Sequence, residues 1–87
     1  MQMIVHQHVT SFADWKAAFD KDDEARRNAG LTVLQVWKDA DSDTHAFFLL
    51  KVNDRDKAQQ WIERSNALAS DDGGTVTSSS AYFLDTK

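Results

Sequence analysis

Four segments of the chain have the alternation or the composition of β-strands. Residues 2–9 alternate between apolar and polar positions, which is typical of a half-buried strand. Residues 31–38 and 44–52 are rich in β-forming side chains, and the five residues between them, 39–43, predict a hairpin loop. Residues 75–84 begin polar and end apolar, so we predict an edge strand there.

Two further segments carry apolar residues at helical spacing. The first begins at Ser11, whose hydroxyl can cap a helix, and ends in the turn sequence 28–30. Its apolar residues are Phe12, Trp15, Ala18 and Phe19. The second begins at Asn53 or Asp54 and ends at 71–74, where two glycines favour a turn. Its apolar stripe consists of Ala58, Trp61, Ile62, Ser65 and Leu68.

The resulting order βαββαβ predicts one α+β domain over residues 1–87, in which two helices cover one face of a four-stranded sheet. The strand residues expected under the helices are Met3, Val5, Val9, Leu34, Val36, Phe48, Leu50 and Val52. The opposite face should carry Ile4, His6, His8, Val33, Gln35, Trp37, His45, Phe47, Leu49, Tyr82 and Leu84. That second face is too apolar to leave in water, so we predict that it meets a second copy in a twofold homodimer.

The register of the hairpin follows from its loop. If the loop 39–43 closes symmetrically, Trp37 lies opposite His45. Gln35 then lies opposite Phe47. The register is inferred from the loop, and a slip of one residue would exchange the two faces of the strand.

The charges of the chain disfavour nucleic acid as a partner. The formal net charge is −4, and acidic and basic residues alternate in the first helix. Asp22 with Arg26, and Asp23 with Arg27, have the i,i+4 spacing of ion pairs on a solvated helix face.

The absence of cysteine excludes disulfides and cysteine-ligated zinc, and it suits a reducing compartment. The opening residues lack the pattern of a secretory signal, and no apolar run has the length of a membrane span. We therefore expect a cytoplasmic protein with no membrane partner. A domain of this size usually needs a partner subunit or another reinforcement for stability.

A group of residues in the first third of the chain resembles the dimeric α/β-barrel superfamily. They are Val5, Val9, Phe12, Trp15, Lys16, Phe19, Asp20, Arg27 and Gly30. The resemblance implies a ferredoxin-like domain with strand order 4-1-3-2, whose sheet joins that of a second subunit to enclose a cleft. Members include antibiotic-biosynthesis-type monooxygenases, haem-degrading enzymes, polyketide cyclases, stress-responsive proteins and proteins with no known activity.

We expect no cofactor for this chain. Haem-degrading members place an iron-ligating histidine after a helix that carries a tryptophan. Trp61 lies on a corresponding helix, but no histidine follows it. Cofactor-free monooxygenases remain among the activities that the resemblance implies.

Three histidines fall on the predicted second face. His6 and His8 are two residues apart on one strand, so their Cα atoms are about 6.6 Å apart on the same side. The expected strand order brings His8 close to His45. A metal site is one interpretation, but the face offers no carboxylate to orient the imidazoles, so we expect no metal. The other interpretations are a water-filled cavity and a pocket for a small apolar or aromatic ligand.

His8 and His45 are the candidate catalytic residues, because an imidazole can act as a general base near neutral pH. The predicted ligand pocket also includes His6, Gln35, Trp37, Phe47 and Tyr82. The alternative is a non-enzymatic stress-type or assembly domain whose second face is only a dimer interface. The sequence does not decide whether the protein is an enzyme.

Overall fold

The computed structural model describes residues 1–72 and 76–87. The elements in chain order are β1 (Gln2–Val9), α1 (Phe12–Lys21), α2 (Asp23–Asn28), β2 (Leu31–Lys38), β3 (His45–Val52), α3 (Arg55–Asp72) and β4 (Val76–Leu84). The strands form one antiparallel sheet in the order β2-β3-β1-β4, which is the predicted order read from the other edge. The α+β class is therefore confirmed. The predicted turn at Gly73 and Gly74, and the side chains of Ser65 and Leu68, lie outside the described part of the chain.

The first predicted helix is divided into α1 and α2 at Asp22. The backbone of Asp22 has φ −91° and ψ 11°, and its N–H donates to the carbonyl of Phe19 at 3.2 Å. The C-terminal end is as predicted, because Gly30 follows α2 with a φ of 73°. A left-handed residue at this point is the usual end of a helix, and glycine adopts it without steric cost.

The core lies between the helices and one face of the sheet. Its buried residues are Met3, Val5, Val9, Trp15, Phe19, Leu31, Ala46, Phe48, Leu50, Val52 and Ala58. The rings of Trp15, Phe19 and Phe48 contact one another with centroids 4.7–5.8 Å apart. Of the described residues, no helix is long and apolar enough to cross a membrane.

The prediction for the faces of β2 is wrong at two positions. Val33 pairs with Leu50 and Gln35 pairs with Leu49, so Leu34 is an additional residue that the partner strand does not match. Such a bulge shifts the alternation of the strand by one position. Val33 consequently packs against the core, and Leu34 is 45% exposed.

The predicted hairpin register is also wrong. Trp37 pairs with Phe47 instead of His45, and Gln35 pairs with Leu49 instead of Phe47. The hairpin loop includes Thr44, whose N–H and hydroxyl both contact the hydroxyl of Ser42. Because each partner moves by two residues, Trp37 and Gln35 stay on the predicted face.

Arg26 is buried, although the sequence predicted a solvated helix face. Its side chain is 3% exposed, with Nη2 donating to the carbonyl of Phe19 at 2.7 Å and the guanidinium 3.7 Å from the centroid of the Phe19 ring. Burial lowers the pKa of Arg26 from its ordinary value, and the charge of Asp23 opposes that shift. Asp23 pairs with Arg27 at 3.2 Å as predicted, whereas Arg26 is 3.8 Å from Asp23 instead of pairing with Asp22.

Two substitutions of Arg26 distinguish the contribution of its aliphatic stem to stability from that of its charge. Arg26→Ala should lower the free energy of unfolding by about 2–4 kcal/mol, because it leaves a cavity against Phe19. Arg26→Met keeps much of the volume and removes a buried charge, so it should stay within about 1 kcal/mol of the wild type or exceed it. Urea denaturation of both variants measures the difference. Equal losses in the two variants would contradict this account of the site.

Candidate functional site

The sheet face opposite the helices, which we call the open face, has no element of this chain packed over it within the described residues. It consists of Ile4, His6, His8, Gln35, Trp37, His45, Phe47, Leu49, Ser78, Ser80, Tyr82 and Leu84. Its large apolar side chains are accessible: Trp37 is 42% exposed and Tyr82 is 61% exposed. Strand alternation places these residues together, because residues directly paired across neighbouring strands share a face.

The structure brings the three histidines into contact on this face. His8 pairs with His45 across β1 and β3, and their ring centroids are 4.6 Å apart in an edge-on arrangement. Nε2 of His6 lies 3.0 Å from Nδ1 of His45. One of these two nitrogens therefore donates a hydrogen bond to the other.

An aromatic surface supports the histidine cluster. The ring of His6 stacks on Phe47 with centroids 4.5 Å apart and an angle of 10° between the ring planes. Phe47 pairs in turn with Trp37 on β2. An apolar wall beside imidazole nitrogens can bind a flat apolar molecule and offer it one polar contact.

Two of the predicted pocket residues lie one step along the sheet from this cluster. Tyr82 pairs with Ile4, and Gln35 pairs with Leu49. The side-chain nitrogen of Gln35 donates to the carbonyl of Val36 at 3.4 Å. These residues thus border the apolar half of the open face, whereas Trp37 and Phe47 border the histidines.

Thr77 is part of the site although nothing in the sequence singles it out. His8 pairs with Ser78 while Val9 pairs with Val76, so Thr77 is an additional residue in β4. Its Oγ1 lies 2.9 Å from Nδ1 of His8 and 3.1 Å from the backbone oxygen of His8. Bulges of this kind often re-aim a side chain beside a functional site.

The described residues contain no group of three or more His, Cys, Asp or Glu side chains arranged to hold a metal ion. The contact between His6 and His45 occupies one nitrogen of each ring. A metal ligand must present a bare nitrogen with its lone pair toward the ion, so those two nitrogens do not ligate an ion while this contact is made.

A cavity of about 220 Å³ lies between α2 and α3, away from the open face. It is lined by Ala25, Asn28, Ala29, Lys57, Gln60, Trp61 and Arg64. None of the three histidines contacts it.

No family model, no curated protein and no solved structure matches this chain. The resemblance to the dimeric α/β-barrel superfamily accordingly stays a prediction.

Proposed function

We propose that the chain forms a homodimer of the dimeric α/β-barrel type, in which two open faces meet and enclose a cleft for a small apolar or aromatic molecule. The observation that carries this proposal is the combination of exposed large apolar side chains with three histidines, of which His45 contacts both others, on one uncovered sheet face. Exposed apolar surface of this extent usually marks an interface or a ligand site.

The charge and the area of the open face are both compatible with contact to a second copy of the chain. The residues that define the face include no acidic residue, lysine or arginine, and Lys51 lies at its margin on β3. Two such faces therefore meet without strong repulsion. Four strands about 4.8 Å apart and about 27 Å long give roughly 500 Å² per copy. Two faces together bury about 1,000 Å², which reaches the lower limit for a specific interface.

The chemistry available at the cleft is proton transfer without a cofactor. His8 and His45 are the candidate general bases, and Phe47 and Trp37 provide the apolar wall. In the enzymatic form of the proposal, the protein is a cofactor-independent monooxygenase- or cyclase-like enzyme of the cytoplasm. The base would remove a proton from a bound molecule held against the wall.

Indole is a suitable first probe, because it is flat, apolar and carries one N–H donor. Because the single N–H of indole bonds to one of the two histidines, either His8→Ala or His45→Ala should weaken indole binding about tenfold, the effect of losing one hydrogen bond in an apolar site. Ligand-observed NMR measures the binding, and native mass spectrometry should give a dimer for both variants. Glu63→Ala, on the exposed side of α3, is the control and should bind indole like the wild type. Undiminished binding in both histidine variants would contradict a role for the histidines.

The second candidate is a non-enzymatic assembly domain whose open face is only interface. The observation that favours it is the exposure of Trp37 and Tyr82 on the open face, which a partner subunit would cover. In that case the histidines pack directly against the partner. His8→Ala would then lower the stability of the dimer, and indole would not bind to the wild type.

A further inference from the structure

The Thr77 hydroxyl contacts a backbone carbonyl oxygen, which accepts hydrogen bonds but cannot donate one. The backbone oxygen of His8, 3.1 Å from Oγ1, can only accept a hydrogen bond. A threonine hydroxyl carries a single proton and keeps two lone pairs as acceptors. With the proton directed to the carbonyl, the hydroxyl oxygen is an acceptor in its remaining contacts.

The second contact of Thr77 then assigns the tautomer of His8. Nδ1 of His8 lies 2.9 Å from the same hydroxyl oxygen, which is a hydrogen-bond distance. Because the oxygen accepts there, Nδ1 must carry the hydrogen. In the neutral ring the lone pair is consequently on Nε2, since a neutral imidazole has one N–H and one bare nitrogen.

We infer that Thr77 is a positioning residue that holds His8 in the Nδ1–H tautomer, which makes Nε2 the proton-accepting nitrogen of His8. The bulge in β4 is what allows this, because it inserts Thr77 between the partners of His8 and Val9. Histidine in water prefers the opposite tautomer, with the hydrogen on Nε2. The bulge therefore reverses which nitrogen of His8 can act as a base.

The consequence for the ligand deepens the proposed function and rests on it. A bare Nε2 accepts a hydrogen bond or a proton, so it selects a molecule with a neutral O–H or N–H donor over a carboxylate or a phosphate. His8 is exposed, so its ring is accessible from the open face.

The tautomer can be measured on the ligand-free protein. In a long-range ¹H–¹⁵N correlation spectrum at mildly alkaline pH, the Nε2 of His8 should resonate as a bare nitrogen and Nδ1 as an N–H nitrogen. Thr77→Val keeps the shape and β-propensity of the side chain but removes the hydroxyl, so the order of the two shifts should reverse. Thr77→Ser retains the hydroxyl and should keep the wild-type order. His8→Ala assigns the signals.

Two outcomes would overturn the inference: an Nε2–H tautomer in the wild type, or an unchanged tautomer in Thr77→Val. Unchanged backbone amide signals of the buried core residues in that variant show that the fold is intact.

The ligand consequence is tested separately with indole and N-methylindole. The wild type should bind indole about tenfold more tightly than it binds N-methylindole. In Thr77→Val most of this difference in affinity should disappear. Equal affinities in the wild type would overturn the donor requirement. Failure of both probes to bind would contradict the proposed function, while the spectrum still decides the role of Thr77.

Discussion

Replacing Leu49 with aspartate is expected to convert the proposed dimer into a monomer. Leu49 lies near the middle of the open face, paired with Ile4 on one side and Gln35 on the other. A twofold dimer buries the new carboxylate twice near the middle of the face, while Lys51, two residues along β3, lies at its margin. We expect the dissociation constant of the dimer to increase at least a thousandfold, which corresponds to a loss of about 4 kcal/mol in the free energy of association. Sedimentation equilibrium over a range of protein concentrations measures this effect.

Two controls separate a lost interface from a damaged fold. Leu49→Met changes shape but not polarity and should remain a dimer, because volume-conserving apolar substitutions are tolerated best. Ala17→Asp adds the same charge at an exposed position of α1, outside the open face, and should also remain a dimer. A wild-type protein that sediments as a monomer at micromolar concentration would contradict the dimer directly.

The alternation of β1 and β3 was sufficient to predict the two faces of these strands, whereas that of β2 was not. On β1 and β3 the residues under the helices are apolar and buried, except the half-buried Gln7, so the period of two predicted correctly that Phe48 is buried and that His6 and His8 share the other face. The proximity of His8 to His45 followed from the strand order. These features depend on local periodicity and on the element order, both of which a single sequence contains.

The bulges could not be predicted in the same way. Leu34 and Thr77 are additional residues only in relation to their partner strands, and neither is marked by glycine or proline. Because of the bulges, Leu34 is exposed instead of buried in the core, and Thr77 contacts His8. The contact of Thr44 with Ser42 shifted the hairpin register for a comparable reason, since it depends on the geometry of the loop.

The burial of Arg26 shows a second limit of sequence patterns. Charges at i,i+4 spacing predict a solvated face, but the side chain of Arg26 lies on the ring of Phe19 and bonds to its carbonyl. The division of the helix at Asp22 ends the regular spacing on which that prediction depended. A break without glycine or proline leaves no local signal.

Phe47 and Phe48 are neighbours on β3 but lie on opposite faces of the sheet. Replacing each with alanine is expected to have a large effect and tests whether the open face is an interface. Phe48 is 1% exposed and contacts Trp15 and Phe19 in the core. Phe48→Ala should therefore lower the free energy of unfolding by about 3–5 kcal/mol. That loss is a large fraction of the stability of a small domain, and it should be the same at every protein concentration. Phe47 lies on the open face and stacks on His6.

Phe47→Ala should leave the folded monomer largely intact and weaken the dimer instead. Mass action links dimer formation to stability, so the wild-type urea midpoint should rise with protein concentration. In Phe47→Ala the urea midpoint should begin to rise only at higher protein concentrations. In Phe48→Ala the urea midpoint should be lower than in the wild type at every protein concentration. An equal, concentration-independent loss in both variants would mean that Phe47 stabilises the monomer and that the open face is not an interface. Since the two residues differ only in the face they occupy, this comparison tests the partner subunit independently of any ligand.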